Sequence, residues 1–588
     1  MNFLDHLYAV IPMLGILIFV HELGHFVAAK LCGVRVLKFS LGFGSPIGVG
    51  NLRLRWIRGG TEYVVAWFPL GGYVKMLGEQ MAGVQGEEEV GVEDASPDEY
   101  LNAKPTYQKL FITFAGPAMN LLLPVAAFII VLGVGLPQRS PIVGMVEEGS
   151  PARTVGLEPG DTLLGVDGVA LETWDDFERI VRASAGENLE LRYARAGSET
   201  GSETGSETGA EAGFEARVEA RVELPVQGRK GLDEFGSAAE VGWVGLGHRR
   251  LPALLGVPEA DALAAAAGLR SGDRVMRVGA DGAEGAEVDD WESLRGLYAE
   301  AGSGDLLFAI QRQVGEETEE LELTVPGLGE LEALGVIPAT ILVHDVNPAL
   351  PAAAAGLESG DLILAVDGKP VGSFASFAET VRASGGRSLA ITYARDGLTH
   401  TVDIAPEETS VPGPLDIEGM DQKVYLIGIT QLLATLQGSV YVDQVLNPLV
   451  SIPKAVNMTV EETARFLRGL ARFASGELGT DQLAGPIGIA EIARKSLDLG
   501  WQHYLGTMIL ISINLGILNL LPIPILDGGQ ALIFAVEGIK RSPISLRSRE
   551  LVQQMGLTLI IMLMGLAFWN DLSRHWNSFV EWLRSTGL

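Results

Sequence analysis

The chain has 588 residues, too many for a single hydrophobic core, and 47% of them are hydrophobic with a mean hydropathy of +0.25, high for a protein wholly in water. A formal charge of −31 argues against a nucleic-acid partner, because phosphate binding needs a basic surface. The only cysteine, Cys32, forms no intramolecular disulfide and says little about compartment.

The first element is an apolar run over residues 7–29, near the ~20 residues that cross hydrocarbon. A signal peptide is the competing reading, but "MNFLDH" carries no Lys or Arg and no small-residue cleavage site follows. The run contains "VHELGHF" at 20–26. Residues four apart share a helix face, so His21 and His25 can offer two imidazoles to one metal, with Glu22 beside them as general base: the His-Glu-x-x-His zinc arrangement. Three ionisable groups within five residues of a spanning helix are costly without a compensating partner; a haem site or proton relay is an alternative, but neither needs Glu22.

The segment "VVAWFPLGGYVKML" follows, with a partly alternating pattern around Gly71-Gly72 that suits an extended hairpin. Its expected role is to pair, through Gly71, Gly72 and Tyr73, with an unwound substrate segment. A second span is expected at 110–136, a third at 504–526 and a fourth at 551–569. Lys30, Arg35, Lys38, Arg53, Arg55, Arg58 and Lys75 follow the first span, and Lys540, Arg541, Arg547 and Arg549 follow the third. Both loops are therefore expected in the cytoplasm, with the N-terminus, residues 137–503 and the C-terminal tail outside. The third span then ends on the same side as His21 and His25, in "LLPIPILDGG". A catalytic zinc takes three protein ligands, and Asp527 is the best third one, since Pro522 and Pro524 interrupt the helix and free the chain to turn. A membrane-boundary turn is the plainer reading of "DGG".

Between the membrane halves, "GLEPGDTLLGVDG" at 156, "GLRSGDRVMRVGADG" at 268 and "GLESGDLILAVDG" at 356 are one phrase written three times. An amphipathic stretch and a strand follow each, so three similar small domains are expected. "VGWVGLG" at 241 and "ALGVIP" at 333 sit where a carboxylate-binding loop would open the second and third. "GSETGSETGSETGAEAG" at 197–213 reads as an unpacked hairpin tip, and "VEETARFLRGLARFA" has helical apolar spacing.

The three repeats resemble bacterial PDZ domains, whose groove takes an extended peptide as an added strand. The whole chain resembles the site-2 protease family of intramembrane zinc metalloproteases, of the regulator-of-sigma-E type. The resemblance rests on "HELGHF" at 21, "FSLGFG" at 39, "TEYVVAWFPLGGYVKMLGE" at 61, "AGPAMNLLL" at 115, "LAGPIGIAEIA" at 483, "NLGILNLLPIPILDGG" at 514 and "LMGLAFWNDLSR" at 563. It implies Zn2+ on His21, His25 and Asp527, Glu22 as the catalytic glutamate and Asn519 as a substrate contact. For Asn519 a helix–helix hydrogen bond is an equal alternative. Members of this type usually carry two PDZ domains, so a third is a departure.

The expected fold is a polytopic α-helical membrane protein with four transmembrane helices, inserted α+β PDZ-like domains and a membrane-associated β-hairpin. The expected division is an N-terminal membrane half at 1–136, PDZ-like copies at 137–230, 231–330 (degenerate in its "GADGAEGAE" loop) and 331–406, an outer helical region at 407–503 and a C-terminal membrane half at 504–588. The expected function is hydrolysis of peptide bonds within spanning segments of single-span proteins, such as an anti-sigma factor or a signal-peptide remnant, in envelope-stress signalling at the bacterial inner membrane. A catalytically inactive PDZ scaffold and a zinc transporter are the alternatives. The first has no use for Glu22; the second is expected to have more polar spans and histidine tracts, and this chain has eight His in all.

Overall fold

The computed structural model describes residues 3–49, 52–78, 95–147, 149–196, 217–232, 238–280, 285–314, 317–411, 422–431, 438–477, 484–542 and 544–574. The repeat at 197–213 lies outside them. Among the described residues four helices are long and apolar enough to cross a membrane, Leu7–Leu31, Thr106–Val134, Trp501–Leu520 and Arg547–Ser573, as in a polytopic helical membrane protein. The chain forms two compact units. One comprises Met1–Leu136, Pro412–Gln422 and Gln444–Leu588; the other comprises Pro137–Val411 and Lys423–Asp443.

The membrane unit begins with α1 (Phe3–Leu31), apolar nearly all round, as a helix surrounded by lipid and other helices must be. Strands β1 (Val36–Pro46), β2 (Arg55–Arg58) and β3 (Thr61–Met76) follow. β3 bends back on itself and flanks β1 on both sides: Ser40 faces Val64 on one side and Tyr73 on the other. β2 pairs with the first half of β3, Arg55 opposite Val64. The second half, Gly72–Val74, has β1 on one side and, among the described residues, no strand on the other. Helix α2 (Thr106–Val134) then packs along α1. Gly24 makes that approach possible, since a Cβ there would lie 2.3 Å from the Ala115 carbonyl oxygen.

The second unit contains one β/α design built three times. Each copy has a four-stranded antiparallel sheet, a four-residue helical turn and one longer helix: α3 (Trp174–Ala183), α4 (Trp291–Ala301) and α5 (Phe374–Ala383). Side chains three and four residues apart turn inward on each helix: Trp174, Phe177 and Val181; Trp291, Leu294 and Tyr298; Phe377 and Val381. Thr173, Asp290 and Ser373 cap the helices by accepting the first free backbone N–H groups. The repeated Gly-Asp of the sequence phrase places a fully buried carboxylate at Asp161, Asp273 and Asp361. Each is gripped at 2.6 to 2.7 Å by both arms of an arginine from the third strand of its copy, Arg195, Arg312 and Arg395. The same arginines donate to the carbonyls of Gly156, Gly268 and Gly356.

Each copy closes by returning to its own first strand. Leu246–Gly247 pairs with Met145–Val146, Ile337–Pro338 with Leu255–Gly256, and Ile429–Gln431 with Val343–Val346. "VGWVGLG" and "ALGVIP" therefore end a copy where the sequence suggested that they open the next. The reason is backbone pairing: Gly144 and Glu147 donate to the carbonyls of Gly247 and Gly245.

The C-terminal part of the membrane unit starts with α6 (Pro448–Ser475), whose Phe466 packs with Ala127, Ile509, Ile513 and Ile517. Helix α7 (Pro486–Asp498) contributes Ala493 to a core with Met13 and Leu17 of α1. Helix α8 (Trp501–Leu520) is the third span, and it stops six residues before the expected end at 526. The cause is Pro522, which forces Leu521 into an extended conformation at ψ 146°. Helix α9 (Asp527–Lys540) starts after the Pro-x-Pro segment, and α10 (Leu546–Arg574) is the last span. Asp571 of α10 is buried and accepts from the backbone N–H groups of Gly485, Ile487 and Gly488, capping α7 from another helix.

Candidate metal centre

His21 and His25 lie one helical turn apart on α1, both buried at 8% exposure, on the face turned toward α2. His25 donates from Nδ1 to the Ile112 carbonyl at 2.8 Å, which leaves its Nε2 lone pair pointing into the site. His21 Nδ1 lies 3.2 Å from the Asn120 side-chain amide. Ile112 and Asn120 both belong to α2, so the second span orients both rings. Asp527 enters as the first residue of α9, where the N-terminal end of the helix dipole favours a carboxylate.

The three side chains meet. His21 Nε2 lies 3.1 Å from Asp527 Oδ2, His25 Nε2 lies 3.5 Å from Oδ1, and the two Nε2 atoms are 3.3 Å apart. Atoms bound tetrahedrally to one zinc at ~2.0–2.1 Å are separated by about 3.3 Å, and these three contacts, which reach both oxygens of Asp527, lie close to that separation. Two buried imidazole nitrogens confronting each other beside a carboxylate are a set of lone pairs that one cation satisfies together. The residues present fit the metal.

Glycine makes this packing possible. A Cβ on Gly116 would lie 2.3 Å from His25 Nε2, on the ligand atom itself. Cβ atoms on Gly528 and Gly529 would lie 2.2 Å from the carbonyl oxygens of Leu520 and Ile523, so the two residues after Asp527 let α9 start against the Pro-x-Pro segment.

Glu22, next to His21, is half-buried and faces the free side of the sheet. A Cβ on Gly72 would lie 3.2 Å from Glu22 Cγ and 3.0 Å from Ile18 Cγ2. Gly72 thus brings bare backbone against the glutamate. Gly71 has φ +127°, and a Cβ there would enter the Phe43 ring. Tyr73 stacks on that ring at 6.1 Å and lies under the Lys38 ammonium. Asn519 occupies the last turn of α8, partly exposed, and among the described residues forms no hydrogen bond to His21, His25 or Asp527. Sequence reasoning overlooked Asn120, although an asparagine in an apolar span is itself a signal; the Ile112 carbonyl leaves no trace in the sequence.

Residues 9–563 match peptidase family M50, and the chain belongs to that family. It is a zinc metalloendopeptidase with four membrane-spanning helices. The chain is 29% identical over 579 residues to the regulator of sigma-E protease RseP of Escherichia coli K12, covering 98% of this chain and all of that one. It is 28% identical over 578 residues to the protease RseP of Yersinia pestis, with the same coverage. A Neisseria meningitidis serogroup A protein whose name describes a zinc metalloprotease is 28% identical over 570 residues, 95% of this chain and 97% of its own.

Proposed function

We propose that the protein cleaves peptide bonds inside the spanning segments of single-span membrane proteins, with Zn2+ held by His21, His25 and Asp527 and with Glu22 as general acid and base. The observation that carries this reading is the convergence of His21 Nε2, His25 Nε2 and the two Asp527 carboxylate oxygens, through contacts of 3.1, 3.3 and 3.5 Å, beside Glu22. When bound, zinc polarises the scissile carbonyl and lowers the pKa of the attacking water. Glu22 takes the proton from that water and delivers it to the leaving amine, a role worth typically about 10² to 10⁴ in rate.

A spanning helix hides its peptide bonds in its own hydrogen bonds, so the cleaved segment must be held extended. The unpaired side of Gly72–Val74 supplies backbone donors and acceptors next to Glu22, and pairing through Gly71, Gly72 and Tyr73 fixes position without demanding a particular sequence. Asn519 completes the substrate contacts in this reading.

The basic residues after the first and third spans support a cytoplasmic side for those loops. The N-terminus, the three PDZ-like repeats and the C-terminus then lie on the periplasmic side of a bacterial inner membrane. Substrates of this class are an anti-sigma factor already shortened outside the membrane or a signal-peptide remnant, in regulated proteolysis under envelope stress. The repeats serve as a size filter that admits a trimmed substrate and obstructs one with a bulky outer domain.

The test is a tagged single-span reporter co-expressed with wild type or Glu22→Gln. The variant should retain zinc and produce no cleaved fragment. Equal cleavage by the two proteins removes Glu22 from the mechanism.

A further inference from the structure

Asn120, beside the metal centre, is fully buried, at 0% exposure. Its backbone is tied in place, because Ser512 of α8 donates to the Asn120 carbonyl at 2.7 Å and Ser512 is itself fully buried. Its side chain meets one partner, His21 Nδ1, at 3.2 Å through Nδ2, while Oδ1 is buried without a partner. That arrangement suits a His21 whose Nδ1 is the bare nitrogen and whose Nε2–H donates to Asp527 Oδ2, 3.1 Å away. It does not suit a ring that gives its Nε2 lone pair to a metal. The proton then resides on Nδ1, and Nδ1–H would confront the amide N–H.

The two ends of the amide have nearly the same size, so a half-turn of the side chain about its last bond exchanges them within the same space. We infer that Asn120 is a positioning residue for the metal ligand His21, accepting the Nδ1–H through Oδ1 and so fixing both the tautomer and the plane of the ring. His25 has the equivalent bond from Nδ1 to the Ile112 carbonyl, and with Asn120 in this role α2 provides one oxygen acceptor to each histidine. Removing such a partner lowers metal affinity by about 10- to 100-fold in comparable sites.

The inference rests on zinc ligation by His21. Its test measures zinc affinity by chelator competition on the detergent-solubilised full chain, for wild type, Asn120→Leu and Asn120→Asp. Asn120→Leu fills the space without an acceptor and should bind zinc about 10- to 100-fold more weakly. Asn120→Asp keeps the acceptor, cannot donate, and should bind at least as tightly as wild type. Excess zinc should return most of the reporter cleavage to Asn120→Leu with KM near the wild-type value, which repair of a misfolded variant would not do.

Three results overturn the inference. Unchanged zinc affinity in Asn120→Leu means that the amide does not hold the ligand. Binding by Asn120→Asp as weak as that of Asn120→Leu, or weaker, means that the amide donates. A wild type without zinc removes the ligand assignment and this inference together, and so is distinguished from the first two.

Discussion

The three repeats and the metal centre each withdraw a carboxylate from water, fully in the repeats and partly at Asp527, and they balance it in opposite ways. Asp161, Asp273 and Asp361 each meet an arginine, which stays charged at any accessible pH, so every pair is neutral by itself. Asp527 meets two histidines, and neutral imidazoles cannot cancel a charge. With Glu22 adjacent, two carboxylates face a site that holds no permanent cation of its own among the described residues. The first arrangement is complete as it stands, and the second calls for a divalent ion.

The largest test of that contrast falls on the metal side. Gly116→Val places a side chain on His25 Nε2, the nitrogen proposed to hold the metal, and the variant should lose zinc and cleavage while still inserting in the membrane. Metal content after purification decides it. In the repeats, Arg312→Ala strands a fully buried Asp273, and breaking such a pair costs about 3 kcal/mol or more. The arginine side chains are 14, 27 and 35% exposed at 312, 395 and 195, so destabilisation should fall in that order as solvent takes over the screening. Thermal unfolding of the three variants gives the ranking, and zinc content should not change in any of them.

Asp571→Asn tests whether a carboxylate capping another helix behaves like the clamps. Replacing a charged acceptor of three N–H groups should cost about 2 kcal/mol, read as a lower unfolding midpoint of the membrane unit. The smallest effect is expected at Glu147, which accepts from Ser373 within the unit of repeats and whose pKa is raised by burial. A carboxyl with a raised folded pKa weakens the fold above that pKa, and the penalty disappears below the ordinary carboxylate range. Glu147→Gln should therefore raise the unfolding midpoint at pH 7 and leave it unchanged at pH 4.

The same contrast explains what could be read before the structure. The Gly-Asp phrase and the helix after it recur within short stretches, so three like copies were visible in the sequence. Their closing strands were not, because pairing of Leu246–Gly247 with Met145–Val146 depends on the return path of the chain. His21, His25 and Asp527 were legible because each breaks an apolar run with a group that lipid cannot solvate. The end of the third span was misjudged by six residues, since hydropathy continues through the Pro-x-Pro segment where helical hydrogen bonding does not. The orienting partners were missed for a different reason. A backbone carbonyl such as that of Ile112 has no residue signature, and Asn120 resembles any polar residue of a helix interface until its distance to His21 is known.

If residues from the two ends of the chain make one zinc site, X-ray absorption at the zinc edge reads it out. Wild type should carry one zinc per chain with two imidazole nitrogens and carboxylate oxygen at about 2.0 to 2.2 Å. Asp527→Ala should lose the metal or show the carboxylate replaced. A full complement of zinc in Asp527→Ala with an unchanged spectrum would contradict the account and place the third ligand elsewhere.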